Sequence, residues 1–414
     1  MSSGTKKGII VASGAWNHEI FGGAYKVATE FAEFLAKEGH RVFYISGSKD
    51  SFPENPTNYK GVEVWRYPVP RAKSPSLANL LGHLSRSRKL ATTITSKHEI
   101  DFVNGHEPLQ FLGVLQGLKG SHVKTAYSVH SPFVQEKIED WGVRFGTNGL
   151  KKGYRLPTLK EKLSIKVLEF LECRTYQKAD VIQTDSRFTL NEIIRDYGNE
   201  VKSKGFVCPL WVDLEKFPLC GDKNAVRKRL GKIWDTNAAL FFSLRRLVPR
   251  MGLDNLIEAV AMLKKQGYKC RLIIGGVGSE KDALETLVKE LDLEGWVFFI
   301  GRISSDELPL CYQASDCFVL PTRALECFGL VILEAYASGT TVIATPIGSI
   351  PEVMGEVGRD FLADGASPVA LSKIMQRFLD KKIAVEPTNL RKRAELYAYP
   401  AQAQKLANLL LNEC

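Results

Sequence analysis

KKGIIVASGAWNHEIFGGAYKVATEFAEFLAKEGHRVFYIS, residues 6–46, reads as one supersecondary unit. The short apolar run KKGIIVAS is a strand, and the loop GAWNHEIFGGA leads from it into a helix on which Val27, Ala28, Phe31, Phe34 and Leu35 recur at helical spacing. Gly39 stands where a helix C-cap belongs, and RVFYIS is the next strand. Strand, glycine loop, helix and strand make a βαβ unit. Parallel strands joined in this way imply a doubly wound α/β sheet.

The theme continues outward. DFVNGH, VKTAYSVH, KADVIQTDS and GFVCPL each read as strands that end in polar or small residues. The pattern breaks at WVDLEKFPLCGD, where Pro209, Pro218 and Gly221 precede a charged helix start. A second alternation follows: AALFFSL, DNLIEAVAMLKKQG, CRLIIGG, EKDALETLVKELDL, WVFFIG, SDELPLCYQAS, CFVLPT, GLVILEAYASG and TVIATP. The reading is an N-terminal Rossmann-like domain over 1–212 and a second over 213–390. A C-terminal helical segment, 391–414, is expected to pack back toward the first domain. At 414 residues two domains are also what length predicts. In open α/β sheets ligands bind at the carboxyl ends of the strands, so two such domains suggest a small molecule held in a cleft that both face.

Composition excludes other classes. Apolar residues at 44% and charged ones at 25% are globular values. The start, MSSGTKKGIIVASG, has too short an apolar run for a signal peptide, and no later run approaches a bilayer span, so a cytoplasmic protein is expected. The eight cysteines show no two-residue spacing of the zinc or redox kind and read as buried thiols. A net charge of +10 suits anionic partners, but the basic residues are not interleaved with aromatics, and no nucleic acid is expected.

Chemistry concentrates in RALECFGLVILEAYASGTTVIATPIGSIPE, residues 323–352. Seven residues separate Glu326 from Glu334. Between them Phe328, Gly329 and Leu330 open a helix whose first-turn N–H groups and dipole favour an anion such as a diphosphate. Glu334 can accept two hydrogen bonds from a vicinal diol such as a ribose, and Glu326 can reach a sugar hydroxyl. Taken singly, each glutamate also reads as a solvated or capping carboxylate.

This segment resembles the Glu, seven residues, Glu motif of the retaining GT-B glycosyltransferases of family 4. SLRRLVPRMGLDNLIEAV resembles that family's phosphate-binding arginine and lysine segment, LIIGGVG its second glycine turn, and ASDCFVLPT the strand before the first glutamate. The resemblance is dense over 238–354 and looser over the first 215 residues. It implies the GT-B fold, two doubly wound Rossmann-like domains facing a central cleft. It implies transfer of a hexose-type sugar from a nucleoside-diphosphate sugar, a UDP-sugar by family frequency, to a hydroxyl acceptor that is a small molecule, a glycan or lipid-linked. The anomeric configuration is kept, without a metal and without a cofactor beyond the nucleotide sugar itself.

Residue by residue, the resemblance places Glu326 on the donor sugar and Glu334 on the ribose, with main-chain contacts from Phe328, Gly329 and Leu330. Arg246 neutralises the diphosphate. The lysine five residues on is Met251 here, and either Arg245 or Arg250 could supply the missing cation. Gly22 and Gly23 match the glycine loop near the phosphates, although a glycine pair also serves as a plain helix entry. His130, ending TAYSVH, matches the histidine near the donor sugar. His106 and Glu107, in VNGHEP, could line the acceptor pocket, but read more simply as loop residues. The segment GLKKGYRLPTLKEKLSIKVLEFLECRTY could make peripheral contact with a membrane, a solvated face being the plainer reading. Competing readings are a GT-B sugar-nucleotide epimerase, a phosphorylase, for which no pyridoxal lysine motif is present, and a dinucleotide oxidoreductase. The turn Gly276-Val277-Gly278 lacks the third glycine for the last. A non-catalytic nucleotide-sugar-binding accessory protein is a further alternative, prompted by Met251. Oligomeric state is not legible.

Overall fold

The computed structural model describes residues 6–18, 22–48, 55–69, 77–118, 123–143 and 154–411. Parts of the loop GAWNHEIFGGA, of the loop after His130 and of the basic segment before Tyr154 lie outside them, as does Cys414. The chain groups into two units. The first holds 1–137, 157–210 and 402–414, and the second 138–156 and 211–401.

The first unit is built on strands β1 (Gly8–Ala12), β2 (Arg41–Ser48), β3 (Thr57–Tyr59), β4 (Val62–Pro68), β5 (Phe102–Gly105), β6 (Lys124–Val129), β7 (Val181–Thr184) and β8 (Gly205–Val207). Their order in the sheet is β3-β4-β2-β1-β5-β6-β7-β8, and every pair except β3/β4 is parallel. Ile9, Ile10, Val11 and Ala12 are wholly buried, as expected of a strand covered on both faces. The helix Gly23–Lys37 buries Val27, Ala28, Phe31, Phe34 and Leu35, the stripe its spacing announces. Gly39, just past its end, takes φ +94°. The hairpin β3/β4 turns through Lys60 and Gly61, both at positive φ, a two-residue geometry that matches strand twist.

The second unit is built on β9 (Ala239–Leu244), β10 (Cys270–Gly275), β11 (Val297–Gly301), β12 (Cys317–Leu320) and β13 (Thr341–Ala344), ordered β11-β10-β9-β12-β13 and all parallel. The helix Pro387–Glu395 belongs to this unit, whereas Ala401–Leu411 is counted with the first, where Lys7 Nζ donates to the Leu411 carbonyl. The C-terminal helix pair is therefore divided between the units.

Each sheet has one point where the winding reverses. In the first it lies between β1 and β5, and in the second between β9 and β12. Those two places are where a doubly wound sheet opens a crevice for a ligand. The helix Leu159–Lys178 starts with a Thr158/Glu161 capping box and leaves Leu159, Leu163 and Phe170 exposed among its lysines. Among the described residues no helix is long and apolar enough to cross a membrane.

Candidate active site

In the second unit the reversal point holds a buried ion pair. β9 ends at Leu244 and delivers Arg245; β12 ends at Leu320 and runs through Pro321 and Thr322 toward Glu326. Arg245 Nη2 donates to Glu326 Oε2, and the two side chains are only 7% and 10% exposed. Thr322 Oγ1 donates to the same carboxylate oxygen at 2.9 Å. Arg245 Nη2 also lies 2.8 Å from Met251 Sδ. Burial lowers the pKa of the guanidinium and the charge of Glu326 opposes that shift. Arg245 Nε is buried with no hydrogen-bond partner among the described residues.

The loop that carries Glu326 is fixed by backbone contacts. The Glu326 carbonyl accepts from Ser349 N at 2.9 Å and from Ser349 Oγ at 3.1 Å. Gly348 sits at φ +63°, and a Cβ there would stand 2.1 Å from the Glu326 carbonyl oxygen. Gly329 then caps the helix Leu330–Ala337 in a left-handed conformation, with Phe328 buried beside it. On this helix Glu334 is buried, and its Oε2 accepts from Tyr312 OH at 3.0 Å. Burial first, and the Glu334 charge second, raise the pKa of the Tyr312 phenol well above its ordinary value.

The remaining arginines occupy different surroundings. Arg246 has half its side chain in solvent, and its Nη1 donates to Asp140 Oδ2 at 2.7 Å. Arg250 is buried, donating from Nε to Asp140 Oδ1 at 2.8 Å and from Nη1 to the Leu325 carbonyl at 2.8 Å. Of the two candidates for the missing lysine, Arg245 is therefore the one whose guanidinium meets both Met251 and Glu326. Arg323 is paired with Asp254. That pair helps to line a groove with Val248, Glu280 and Leu287, of which neither Arg245 nor Glu326 is a wall. The Gly276 turn has a packing cause, since a Cβ there would come within 1.8 Å of the Arg245 carbonyl.

In the first unit the reversal point holds His106 and Glu107, which follow β5, opposite Gly14, which follows β1. Gly14 admits the Glu107 carboxyl, which would lie 2.5 Å from a Cβ at that position. Burial raises the Glu107 pKa, while Lys137 and a hydrogen bond to Tyr25 pull it down. His130 follows β6 and Asp185 follows β7. His130 Nδ1 lies 3.0 Å from Asp185 Oδ2, and its Nε2 lies 2.8 Å from His106 Nδ1. Both ring nitrogens of His130 are thus engaged by protein. His106 is not an ordinary loop residue: it is 4% exposed and sits inside this chain of hydrogen bonds. VNGH and YSVH, two strand readings that end on histidine, are the sequence signal for that pairing. Gly22 is the N-cap of the helix Gly23–Lys37, with φ 178°, an extended conformation open to any residue.

Comparison with known proteins agrees with the fold. The description Glycosyltransferase Family 4 matches residues 21–216, and Glycosyl transferases group 1 matches residues 226–399. The chain is 25% identical over 342 residues to mannosylfructose-phosphate synthase of Agrobacterium fabrum, covering 80% of this chain and 72% of that protein. It is 28% identical over 247 residues to the GDP-mannose-dependent monoacylated alpha-(1-6)-phosphatidylinositol monomannoside mannosyltransferase of Corynebacterium glutamicum. That match covers 57% of this chain and 63% of the relative, less than two thirds of its length. Among solved structures, sucrose-phosphate synthase from Thermosynechococcus elongatus superposes with a TM-score of 0.79 at 19% identity, covering 98% of each chain. HepE of Anabaena, in complex with UDP and glucose, gives 0.72 at 18% identity, covering 98% of this chain and 100% of that one. With a family description on each unit and the same fold along the whole chain, this protein belongs to the GT-B glycosyltransferases of the family 4 group.

Proposed function

We propose that this protein is a retaining glycosyltransferase that moves a hexose-type sugar from a nucleoside-diphosphate sugar, a UDP-sugar first among them, to a hydroxyl acceptor without a metal ion. The observation that carries the reading is the convergence of Arg245, Thr322 and Glu326 at the reversal point of the second sheet. The helix start at Gly329 and the buried Glu334 lie directly downstream.

The roles follow from chemistry. The helix N-terminus at Gly329, with the main chain of Phe328 and Leu330, favours the diphosphate, and Arg246, half-exposed beside Asp140, supplies positive charge as the C1–O bond breaks. Arg245 adds a buried cation whose Nε–H has no partner among the described residues, which suits an anionic oxygen; Arg250 holds the Leu325 carbonyl and so the glutamate loop. Glu334 accepts from the ribose diol, and Glu326 from a sugar hydroxyl. In the first unit, the backbone at Gly22 and Gly23 opens a helix whose first-turn N–H groups suit a phosphate. Same-face attack by the acceptor hydroxyl on an oxocarbenium-like centre retains configuration.

The test is release of nucleoside diphosphate from a panel of UDP-, GDP- and ADP-sugars in the absence of metal, for the parent, Glu326→Ala and Arg246→Ala. Turnover of one donor, lost in both variants, supports the reading. Tight nucleotide binding with no turnover against any acceptor would favour the second reading, a non-catalytic nucleotide-sugar-binding protein, to which Met251 lends some support.

A further inference from the structure

We propose that the solvent-facing side of the helix Leu159–Lys178 docks this protein, reversibly, on an anionic lipid bilayer. Docking does not depend on the transferase chemistry proposed above.

The helix is firmly seated. Thr158 and Glu161 close a capping box at its start, and its inner side buries Ile165, Leu168, Thr175 and Tyr176. On that side Glu172 accepts from the backbone N–H groups of Phe133 and Val134 at 2.7 and 3.0 Å. It also accepts from the hydroxyls of Tyr176 and Tyr197, each at 2.8 Å. Four donors on one buried carboxyl group fix the helix to the rest of the first unit, so its outer side is presented on a rigid base.

The outer side is apolar as well. At about 100° of rotation per residue, Leu159, Leu163 and Phe170 fall within about 40° of one another, opposite the buried residues. Their exposures are 84%, 60% and 62%, and Leu159 is the most exposed large apolar side chain among the described residues. Single exposed leucines are ordinary, but a helix that is apolar on two opposite sides is normally covered on both. Among the described residues, this one is covered on one side only. The stripe runs about 16 Å along the axis from Leu159 to Phe170.

What borders the stripe names its cover. Lys160, Lys162, Lys166 and Arg174 are all exposed, with Lys166 inside the stripe and the others at its margins. Among the described residues of this helix, Glu169 is the one exposed acid. The Arg174 guanidinium lies 5.9 Å from the centre of the Phe170 ring, so charge and apolar surface stand side by side. Long basic side chains lay their methylenes along apolar surface and carry their charge out to the phosphate level. Helices of this composition lie in the membrane interface, with the apolar side about 5–10 Å into the headgroup region. A second copy is the poorer cover, because two-fold pairing of the stripe would set Lys160, Lys162 and Lys166 against their own images. Anionic lipid satisfies leucines and lysines together, and the net charge of +10 favours the approach.

The test is co-sedimentation of the full chain with vesicles of equal parts phosphatidylglycerol and phosphatidylcholine, and with vesicles of phosphatidylcholine alone, at low and high salt. The parent is expected on the anionic vesicles and not on the neutral ones, with binding that weakens as salt rises. Replacing any one of Lys160, Lys162 and Lys166 by Gln should weaken binding about fivefold. Leu163→Gln combined with Phe170→Gln should weaken it about 100-fold or more. Both positions are exposed, and an unchanged melting temperature checks that the fold is kept. In Phe170→Trp the added indole emission, read as a difference from the parent, should shift to the blue on anionic vesicles and be quenched by brominated acyl chains. A parent that stays in the supernatant overturns the proposal, as does one that binds while the indole at position 170 neither shifts nor is quenched. A parent that is dimeric in solution and becomes monomeric in the Leu163→Gln, Phe170→Gln pair also overturns it, assigning the stripe to a second copy.

Discussion

Arg245 and Glu326, 81 residues apart in sequence, are buried partners delivered by the carboxyl ends of adjacent strands β9 and β12. The same guanidinium nitrogen touches Met251 Sδ, so the position at which the family resemblance implies a lysine is filled by a thioether with a cation lying against it. A positive charge lies beside position 251, carried by the residue that follows β9.

That relationship predicts a reciprocal pair of substitutions. Arg245→Leu leaves Glu326 as an uncompensated buried carboxylate and should lower stability by about 3–5 kcal/mol. Met251→Lys alone sets a second cation against Arg245 and is also destabilising. Combined, the new lysine supplies the missing partner, and the double variant should be more stable than the sum of the single losses by more than about 1 kcal/mol. Denaturant titration of the four proteins measures the coupling, and donor turnover in the double variant reports whether position 251 can carry the charge. Simple additivity would mean that Arg245 does not stand in for the lysine.

Gly348 tests how far the glutamate loop depends on backbone packing. In Gly348→Ala the methyl group meets the Glu326 carbonyl oxygen, and the residue must also hold positive φ, which costs about 1–3 kcal/mol before any clash. Thermal denaturation should show the loss. Because Ser349 bonds the same carbonyl, donor KM should rise as well. A stable variant with parental KM would show that the loop relaxes without moving Glu326.

Much of this was legible in the sequence because the physics involved is local. The βαβ unit over 6–46, the strand ends at His106 and His130, and the helix opening at Gly329 all follow from periodicity and glycine placement. What was not legible depends on partners far along the chain. Strand β4 was hidden by Glu63 and Arg66 in its alternation; Arg66 is nonetheless buried, donating to Thr57 Oγ1 and the Val64 carbonyl. Nor does any local pattern say that Asp140 joins Arg246 and Arg250, 106 and 110 residues away, or that His130 spends both nitrogens on protein. The choice between Arg245 and Arg250 for the cation was open for the same reason: two arginines five residues apart look alike until the fold gives one of them Glu326.

Tyr312 and Glu334 allow the ribose role to be probed separately from the sugar site. Tyr312→Phe removes a donor from a buried carboxylate and should destabilise the second unit by about 1–3 kcal/mol. If Glu334 is positioned by that phenol to meet a ribose, nucleotide Kd should rise while the rate of the bound complex changes little. Isothermal titration with the nucleoside diphosphate, beside single-turnover kinetics, separates the two. An unchanged Kd would detach Glu334 from nucleotide binding.

Glu107 gives the pH dependence of the first unit an unusual component. Burial is the dominant influence on its carboxyl and raises the folded pKa above the ordinary value, with Lys137 and Tyr25 only partly opposing it. The folded protein therefore holds this proton more tightly than the unfolded chain does. The stability it contributes is complete below the ordinary glutamate range and is lost as pH rises through the raised folded value, the reverse of a salt-bridged carboxylate. Glu107→Gln is neutral at every pH and keeps the volume beside Gly14. Relative to the parent, its stability in denaturant titrations should improve steadily as pH rises across that window, and the difference should flatten on either side. A difference that is constant with pH, or that runs in the opposite direction, would mean that Glu107 is ionised in the folded state throughout and paired with Lys137.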